Sequence, residues 1–478
     1  MTKSNSNSNC FFLENNYYII EGENMNNKEF LGKDNIFKLF IKLSIPAVLA
    51  QLVNLLYNIV DRMYIGHIEN IGKEALTGVG VTLPIIMLIS AFSSLCGMGG
   101  APKASIYMGE NNYDKANKTL NNCFLLTAII SIILTFIFLV FGEKLLLLFG
   151  ASEYTITYAT DYLNTYVLGT IFVMLSLSLN AFITAQGFSK ISMINVAIGA
   201  IANIILDPIF IFVFNLGVKG AAIATIISQA IATLSIIIFL TSKKTILKLK
   251  IQDMPLKIDI ILPCVLLGLA PFIMQSTESI LSICFNTSLY KYEGDLAVGS
   301  MTILTSLMGF AMMPLQGFTQ GAQPIISYNY GAKKPERVKK AFTILFITCV
   351  VYSFLFWVFL MITPQSFAKL FTDDINLINY TSWALRIYMA VLCMFGIQIA
   401  CQQTFIALGN APISLFLAIL RKVILLIPLI YIIPNFTTNK SFGVFLAEPI
   451  ADFIAVSVTF TLFIITFKKS LKKIKEVI

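Results

Sequence analysis

Asn203 and Asp207 stand four residues apart in the run Ala202-Asn203-Ile204-Ile205-Leu206-Asp207-Pro208-Ile209-Phe210. That spacing sends both side chains from one face of a helix. The surrounding segment is apolar and long enough to cross a bilayer. An Asp near the bilayer centre costs about 2.5–3.5 kcal/mol on insertion scales, so an acid kept there points to function. Its oxygens, with those of the amide, suit a small cation or a proton. Pro208 has no N–H, and so is expected to free the carbonyl of Ile204 and to bend the helix beside the carboxylate. Pairing with a neighbouring helix for packing alone is the structural alternative.

Other polar groups fall in apolar stretches. Glu448 and Asp452 share an i, i+4 face near the C-terminus, where they either line a cavity or serve a structural role at the rim. Gln51, Asn54, Asn58, Asn180, Gln229, Gln275, Asn286 and Gln402 either line a cavity or bond across helices, and for any one of them packing is the commoner role. The single histidine, His67, falls in a short loop and reads as solvated. The eight cysteines form no CxxC pair and lie mostly in apolar runs, which implies neither disulfides nor a metal site. Without a Walker A sequence, a Rossmann glycine pattern, HExxH or GxSxG, no enzyme activity and no cofactor are expected.

The elements that position these groups follow from composition. The chain has 478 residues, 57% hydrophobic and 12% charged, with mean hydropathy +0.81. That excludes a soluble globular protein and a disordered one, and gives an all-α polytopic membrane protein. The net charge of +9 does not point to nucleic acid, because the basic residues sit between hydrophobic runs and are not interleaved with aromatics. Twelve stretches are long enough to span about 30 Å of hydrocarbon as helices: 36–66, 75–101, 119–141, 158–186, 190–214, 219–241, 258–289, 296–322, 340–362, 380–408, 411–434 and 442–467. Lys and Arg concentrate in the segments on the side of residue 33, such as Lys333, Lys334, Arg337, Lys339 and Lys340, which places both termini in the cytoplasm.

An internal repeat organises the chain. Adding 222 to a number in the first half lands on a counterpart: Pro102 and Pro324, Ser105 and Ser327, Gly109 and Gly331, Ala185 and Ala407, Gly187 and Gly409. Two six-helix halves with an even number of spans keep the same orientation, so they are parallel repeats, suited to rocking around a central cavity. The expected organisation is a disordered polar N-terminus (1–32, of which 1–24 reads as a leader or a misassigned start), an N lobe (33–242), a cytoplasmic linker (243–257), a C lobe (258–467) and a basic tail (468–478). The tail's lysines serve as a topology anchor or touch anionic lipid.

The repeat carries further motifs: Pro314-Leu315-Gln316-Gly317-Phe318-Thr319-Gln320-Gly321-Ala322-Gln323-Pro324 with the run to Lys334, its first-half version from Gly97 to Pro102, the VDRMYIG run (60–66) and the LDPIF run (206–210). Gly and Pro are expected to end the second and eighth spans there and to let backbones approach. Over about residues 36–467 these motifs resemble the multidrug and toxic compound extrusion (MATE) transporters, most of all the MepA-like bacterial branch. The resemblance implies a V-shaped bundle of two lobes that exports cationic, amphipathic small molecules such as dyes and antibiotics in exchange for Na⁺ or H⁺. It also implies a cation site of an Asp late in the first span, an Asn and an Asp on the fifth and a Thr on the sixth, which this chain matches with Asp61, Asn203, Asp207 and Thr225. Two carboxylates with amide and hydroxyl oxygens suit Na⁺, and like-charge crowding suits a proton carrier equally well.

Other branches carry a Glu on the seventh span and an Asp on the tenth. Glu278 matches the first, whereas the tenth span offers Gln402 and Gln403 and no acid. Glu278 is therefore expected at the substrate, with a salt bridge to Arg421 or another helix as the structural alternative. The expected substrate cavity comprises Glu278, Asn180, Gln51, Gln275 and Gln402. Arg421 is expected to begin the eleventh span and to order interlobe or cytoplasmic contacts. The reading is a monomeric secondary exporter in the cytoplasmic membrane of a low-GC bacterium. Rival readings are a lipid-linked oligosaccharide or peptidoglycan-precursor flippase, which needs a basic cavity for pyrophosphate, an intramembrane enzyme, which needs clustered catalytic groups, and a channel.

Overall fold

The structure, a computed structural model, describes residues 29–69 and 71–476. The expected leader at 1–24 lies outside these residues. Among them there is no strand, as expected where hydrocarbon leaves the helix to satisfy every backbone polar group internally. Among the described residues ten helices are long and apolar enough to cross a membrane, and two bent pairs, each counted as one span, bring the number to twelve.

In chain order the elements are α1 (Phe30–Lys33), α2 (Ile36–Gly66), α3 (Gly72–Gly109), α4 (Tyr113–Leu148), the bent pair α5 (Ile156–Leu168) and α6 (Thr170–Ala185), α7 (Ser189–Pro208) and α8 (Gly217–Thr241). The second half has α9 (Ile258–Glu293), α10 (Asp295–Gly331), α11 (Pro335–Ile362), the short α12 (Pro364–Lys369), the bent pair α13 (Ile375–Tyr388) and α14 (Leu392–Ala407), α15 (Ala411–Ile419), α16 (Ile427–Ile432) and α17 (Lys440–Glu476). The bends are 57° and 50°, at equivalent places in the two halves. Asn35 opens α2 by accepting from the N–H groups of Phe37 and Lys38, and Asn112 opens α4 by accepting from Lys115.

Several boundaries differ from expectation. Pro102 and Pro324 do not end their helices: α3 and α10 run on to Gly109 and Gly331. Prolines are tolerated inside membrane-spanning helices, and Ser105 Oγ of α3 donates to the Pro324 carbonyl of α10 at 3.4 Å. Helix α7 passes from Pro208 into a π-helical turn, Ile209–Val213, so the missing N–H is absorbed by widening. The eleventh span contains a second π-helical segment, Leu420–Leu426, between α15 and α16. Residues 29–32, expected as the end of a disordered polar N-terminus, include most of the short helix α1. Helix α17 carries the basic tail onward as helix to Glu476.

The repeat is visible in the backbone. Asn111 and Lys333, 222 apart, both take left-handed φ angles, 59° and 54°, and the turns at Gly187 and Gly409 repeat at 88° and 73°. The halves meet reciprocally: α9 lies along α3, and α10 along α2 and α3. Glycine allows this approach, since a Cβ on Gly109 would collide with the Tyr328 carbonyl and one on Gly331 with that of Ile106.

Two segments outside the membrane spans tie the halves together. In α1, buried Leu31 sits beside Gly187 of the first half, and Phe30 packs on Phe188 with ring centroids 6.5 Å apart. The same segment gives its carbonyls to the second half: Asn329 Nδ2 donates to Leu31 O (2.9 Å), Lys334 Nζ to Gly32 O (2.9 Å) and Arg337 Nη2 to Asp34 O (2.7 Å). The linker, irregular apart from a turn at Ile251–Asp253, is clasped by side-chain amides. Gln186 Oε1 accepts from Thr245 Oγ1 and from the N–H groups of Ile246 and Leu247 at 2.8–2.9 Å. Asn117 accepts from Lys248 N, Asn121 accepts from Lys250 N while donating to Lys248 O, and Asn122 accepts from Lys257 N while donating to Asp253 O.

Candidate ion and substrate site

A chamber of about 470 Å³ opens among the helices of the first half. Helix α2 contributes Gln51, Asn54, Tyr57 and Asn58, α6 contributes Asn180, α7 contributes Asn203, and α8 contributes Thr225 and Gln229. From the second half, Gln275 on α9 and Gln316, Gln320 and Gln323 on α10 face it. Gln275 Nε2 donates to Ser94 Oγ on α3 at 2.8 Å, which ties this part of the wall across the two halves. No Asp, Glu, Lys or Arg lines the chamber among the described residues, so the basic cavity that a pyrophosphate-handling flippase needs is not found there.

The four predicted coupling residues lie close together, two of them in the wall of this chamber. Asn203 and Thr225 form part of its wall, and Asn203 Nδ2 donates to Asp207 Oδ1 at 2.9 Å and reaches Thr225 Oγ1 at 3.5 Å. Asp207 is fully buried. Asp61, from the far end of α2, comes within hydrogen-bonding reach of it. Asp61 Oδ1, Asn203 Oδ1 and Asp207 Oδ2 are buried without a hydrogen-bond partner. All three are acceptors, and a cation or a proton is the kind of species that satisfies acceptors. Sequence reasoning missed the aromatic wall around them. Tyr57 stands beside both acids, Tyr162 beside Asp61 and Thr225, and Tyr162 stacks on Tyr166 at 5.9 Å. The i, i+4 spacing of those two tyrosines in an apolar helix was the available signal.

Gln51, Asn180 and Gln275 thus lie in the chamber, but Glu278 and Gln402 do not. Glu278 Oε1 accepts from Lys422 Nζ at 2.6 Å, and Gln402, buried, accepts from Gln398 and contacts Met274 Sδ. Arg421 does not begin a helix. It lies buried in the π-helical segment and donates to Asp452 Oδ1 (2.6 Å) and Glu448 Oε1 (3.0 Å), with Phe395 beneath its guanidinium at 4.6 Å. The π-helical widening lets the consecutive residues Arg421 and Lys422 both turn inward.

The repeat explains the displacement. Val173, Ser176, Asn180, Gly199 and Ala200 line the first-half chamber, and 222 residues later stand Phe395, Gln398, Gln402, Arg421 and Lys422. Each is larger than its mate, so the equivalent space in the second half is filled. His67 caps α2, its Nδ1 2.7 Å from the Met63 carbonyl. The cysteines among the described residues are free thiols, and no group of three or more His, Cys, Asp or Glu capable of holding a metal occurs among those residues.

Comparison with known proteins agrees with this geometry. The MatE family model matches twice, at residues 46–209 and 271–432, once in each half. The multidrug export protein MepA of Staphylococcus haemolyticus (strain JCSC1435) is 27% identical over 435 residues, covering 91% of this chain and 95% of the relative. MepA of Staphylococcus aureus (strain N315) is 26% identical over 420 residues, covering 87% and 90%. Among solved structures, a MATE protein in the bent conformation superposes with a TM-score of 0.87 at 23% identity, covering 94% of this chain and 99% of that one. A MOP superfamily transporter from Pyrococcus furiosus Vc1 (DSM3638) gives 0.86 at 23% identity, covering 94% and 100%. With both halves matched and the two-lobed helical fold shared, the chain belongs to the MatE family of multi-pass membrane transporters.

Proposed function

We propose that this protein is a secondary active exporter of cationic, amphipathic small molecules, driven by inward flow of Na⁺ or H⁺ and working by alternating access of its two lobes. The bacterial cytoplasmic membrane, with both termini inside, is its proposed location, and a single chain supplies both lobes. The observation that carries this reading is the approach of Asp61 to Asp207 beside three buried acceptors without donors. Two carboxylates held together in an apolar wall are costly unless a positive charge joins them. Na⁺ would find oxygens from Asp61, Asn203, Asp207 and Thr225, whereas a proton would be shared between the two acids. Before the ion arrives, their negative field favours an organic cation in the adjoining amide-lined chamber, where tyrosine faces add cation–π attraction. Ion entry removes that field and lets α2 and α7 repack, which expels the cargo. The close cytoplasmic contacts at Gly109 and Gly331 support an arrangement sealed from the inside, and the relatives named as multidrug export proteins support the cargo class.

The test is ethidium efflux from vesicles holding the purified protein, under a Na⁺ gradient and a pH gradient imposed separately. Efflux driven by one gradient and lost in Asp207→Asn, with expression intact, is the expected result. Ion-driven efflux that survives in Asp207→Asn would refute the coupling role.

A further inference from the structure

A second recess, of about 540 Å³, lies in the second half between the end of α11, the short α12 and α13. The uncharged run 341–362 of α11 carries the chain roughly 33 Å from Lys340, at about 1.5 Å per residue. That matches the thickness of the hydrocarbon layer, so Ile362 and Gln365, which line the recess, stand at the headgroup boundary of the membrane face opposite Lys340. From there α13 returns into the membrane and turns Asn379, Trp383 and Arg386 towards the recess, at i, i+4 and i+7. Arg386 is the one charged residue among the described residues that line it. It is exposed, and among the described residues it has no ion pair or hydrogen bond from its side chain. Charged side chains within membrane spans are costly and as a rule are paired, so this one calls for a partner from outside the chain. The side chains of Gln365, Ser366 and Asn379 are likewise exposed and unbonded, so one space receives free donors from an arginine, two amides and a hydroxyl.

We propose that this recess binds the phosphodiester headgroup of an anionic phospholipid. The guanidinium of Arg386 takes the phosphate in a bidentate grip, and Gln365, Ser366 and Asn379 donate to its remaining oxygens. Helix side chains lean towards the N-terminus of their helix, here towards the headgroup boundary, which lets the long Arg386 side chain rise to phosphate level. Trp383, tilted against Tyr380 with ring centroids 5.3 Å apart, leaves an exposed indole on the same face, and Ile362 adds an apolar wall for the acyl chains. Donors and apolar walls in one space at the membrane boundary fit a lipid better than a soluble anion. The repeat shows that the fold does not itself require this arginine. At the same positions of the first half, 222 residues earlier, stand Asn164 for Arg386 and Asp161 for Trp383, and Asp161 pairs with Lys219 at 3.2 Å. The recess shares no residue with the chamber, so the proposal does not rest on the export reading.

The chain has two tryptophans, so Trp357→Phe leaves Trp383 as a single reporter beside the site. The full-length variant is placed in phosphatidylcholine vesicles that contain equal shares of either brominated phosphatidylglycerol or brominated phosphatidylcholine. Quenching of its fluorescence then reads which lipid occupies the recess. Phosphatidylglycerol is expected to be preferred by about fivefold, the factor for one basic residue at an anionic membrane surface. Arg386→Gln is expected to abolish the preference and Arg386→Lys to keep part of it, while inorganic phosphate in the buffer leaves it unchanged. Gln365→Ala/Asn379→Ala retains the charge and is expected to lower the preference, which keeps the test decisive if Arg386→Gln fails to fold. Equal quenching by the two lipids, or a preference undiminished in the folded variants, would overturn the proposal. Loss of the preference on adding millimolar inorganic phosphate would also overturn it, and would assign the recess to a soluble anion.

Discussion

Replacing Gln186 with leucine isolates the energetics of the linker clasp. One buried amide oxygen holds the hydroxyl of Thr245 and the N–H groups of Ile246 and Leu247, and Leu247 is fully buried beneath it. Thr245 keeps a second partner in the Leu247 carbonyl at 2.8 Å, so its loss is small. The two N–H groups have no such reserve. Stranding a buried donor costs about 1–3 kcal/mol, which puts the local penalty for the pair at roughly 2–4 kcal/mol once partial access to water at Ile246 is allowed for. When opening and closing are fast relative to cleavage, proteolysis follows the population of the open form. At about 1.4 kcal/mol per tenfold, tryptic cutting after Lys244, Lys248 or Lys250 should then rise by roughly 30- to 700-fold. Limited trypsin digestion in detergent, followed by electrophoresis, reads this directly as two half-length fragments. A rate within about threefold of the unaltered protein would refute the clasp as a determinant of linker stability.

Two further predictions concern packing. Gly109→Val and Gly331→Val each force a side chain into a backbone carbonyl of the other half, so both should lower the unfolding temperature in detergent, with overpacking costing about 1–3 kcal/mol or more; Gly309→Val, on an open face of α10, is the control and should leave it unchanged. Building the second half's residues into the first, as Val173→Phe/Ser176→Gln/Asn180→Gln, should fill the chamber and weaken ethidium binding by at least about tenfold, roughly 1.4 kcal/mol, while the purified protein still elutes as one folded species. Fluorescence anisotropy measures this, and unaltered binding would place the cargo elsewhere.

The sequence made the spans legible because a hydrocarbon environment turns each of them into one uninterrupted apolar word, and the offset of 222 made the two-lobed plan legible because backbone turns repeat with it. Pairing was harder to read. Asn203 and Asp207 announce each other across one helical turn, but Asp61 lies 146 residues from Asp207, and only the family resemblance connected them. Glu278 and Gln402 lie outside the first-half chamber, because a repeat predicts equivalent positions without saying which copy stays hollow. That depends on volume: Gly199 leaves space where Arg421 takes it. Arg421 itself looked like a helix start, since its place inside a π-helical segment and its two acid partners on α17 depend on a local register that apolar periodicity does not encode. The proline positions misled because α3 and α10 continue as helix through Pro102 and Pro324 to Gly109 and Gly331, which a rule drawn from water-soluble helices does not foresee.

The short helix α1 also bears on how the protein is made. Chains emerge from the ribosome N-terminus first, so Leu31, Gly32 and Asp34 are made well before the second half. The side chains that donate to their carbonyls belong to Asn329, Lys334 and Arg337, about 300 residues later, at the end of the eighth span and just beyond it. Throughout synthesis of the first half and the start of the second, the donors that hold those carbonyls have not yet been made. Their capture is thus a later event of biogenesis, possible only once the eighth span has been made and brought against the first half, and an intact α1 seat marks a chain whose two halves have met.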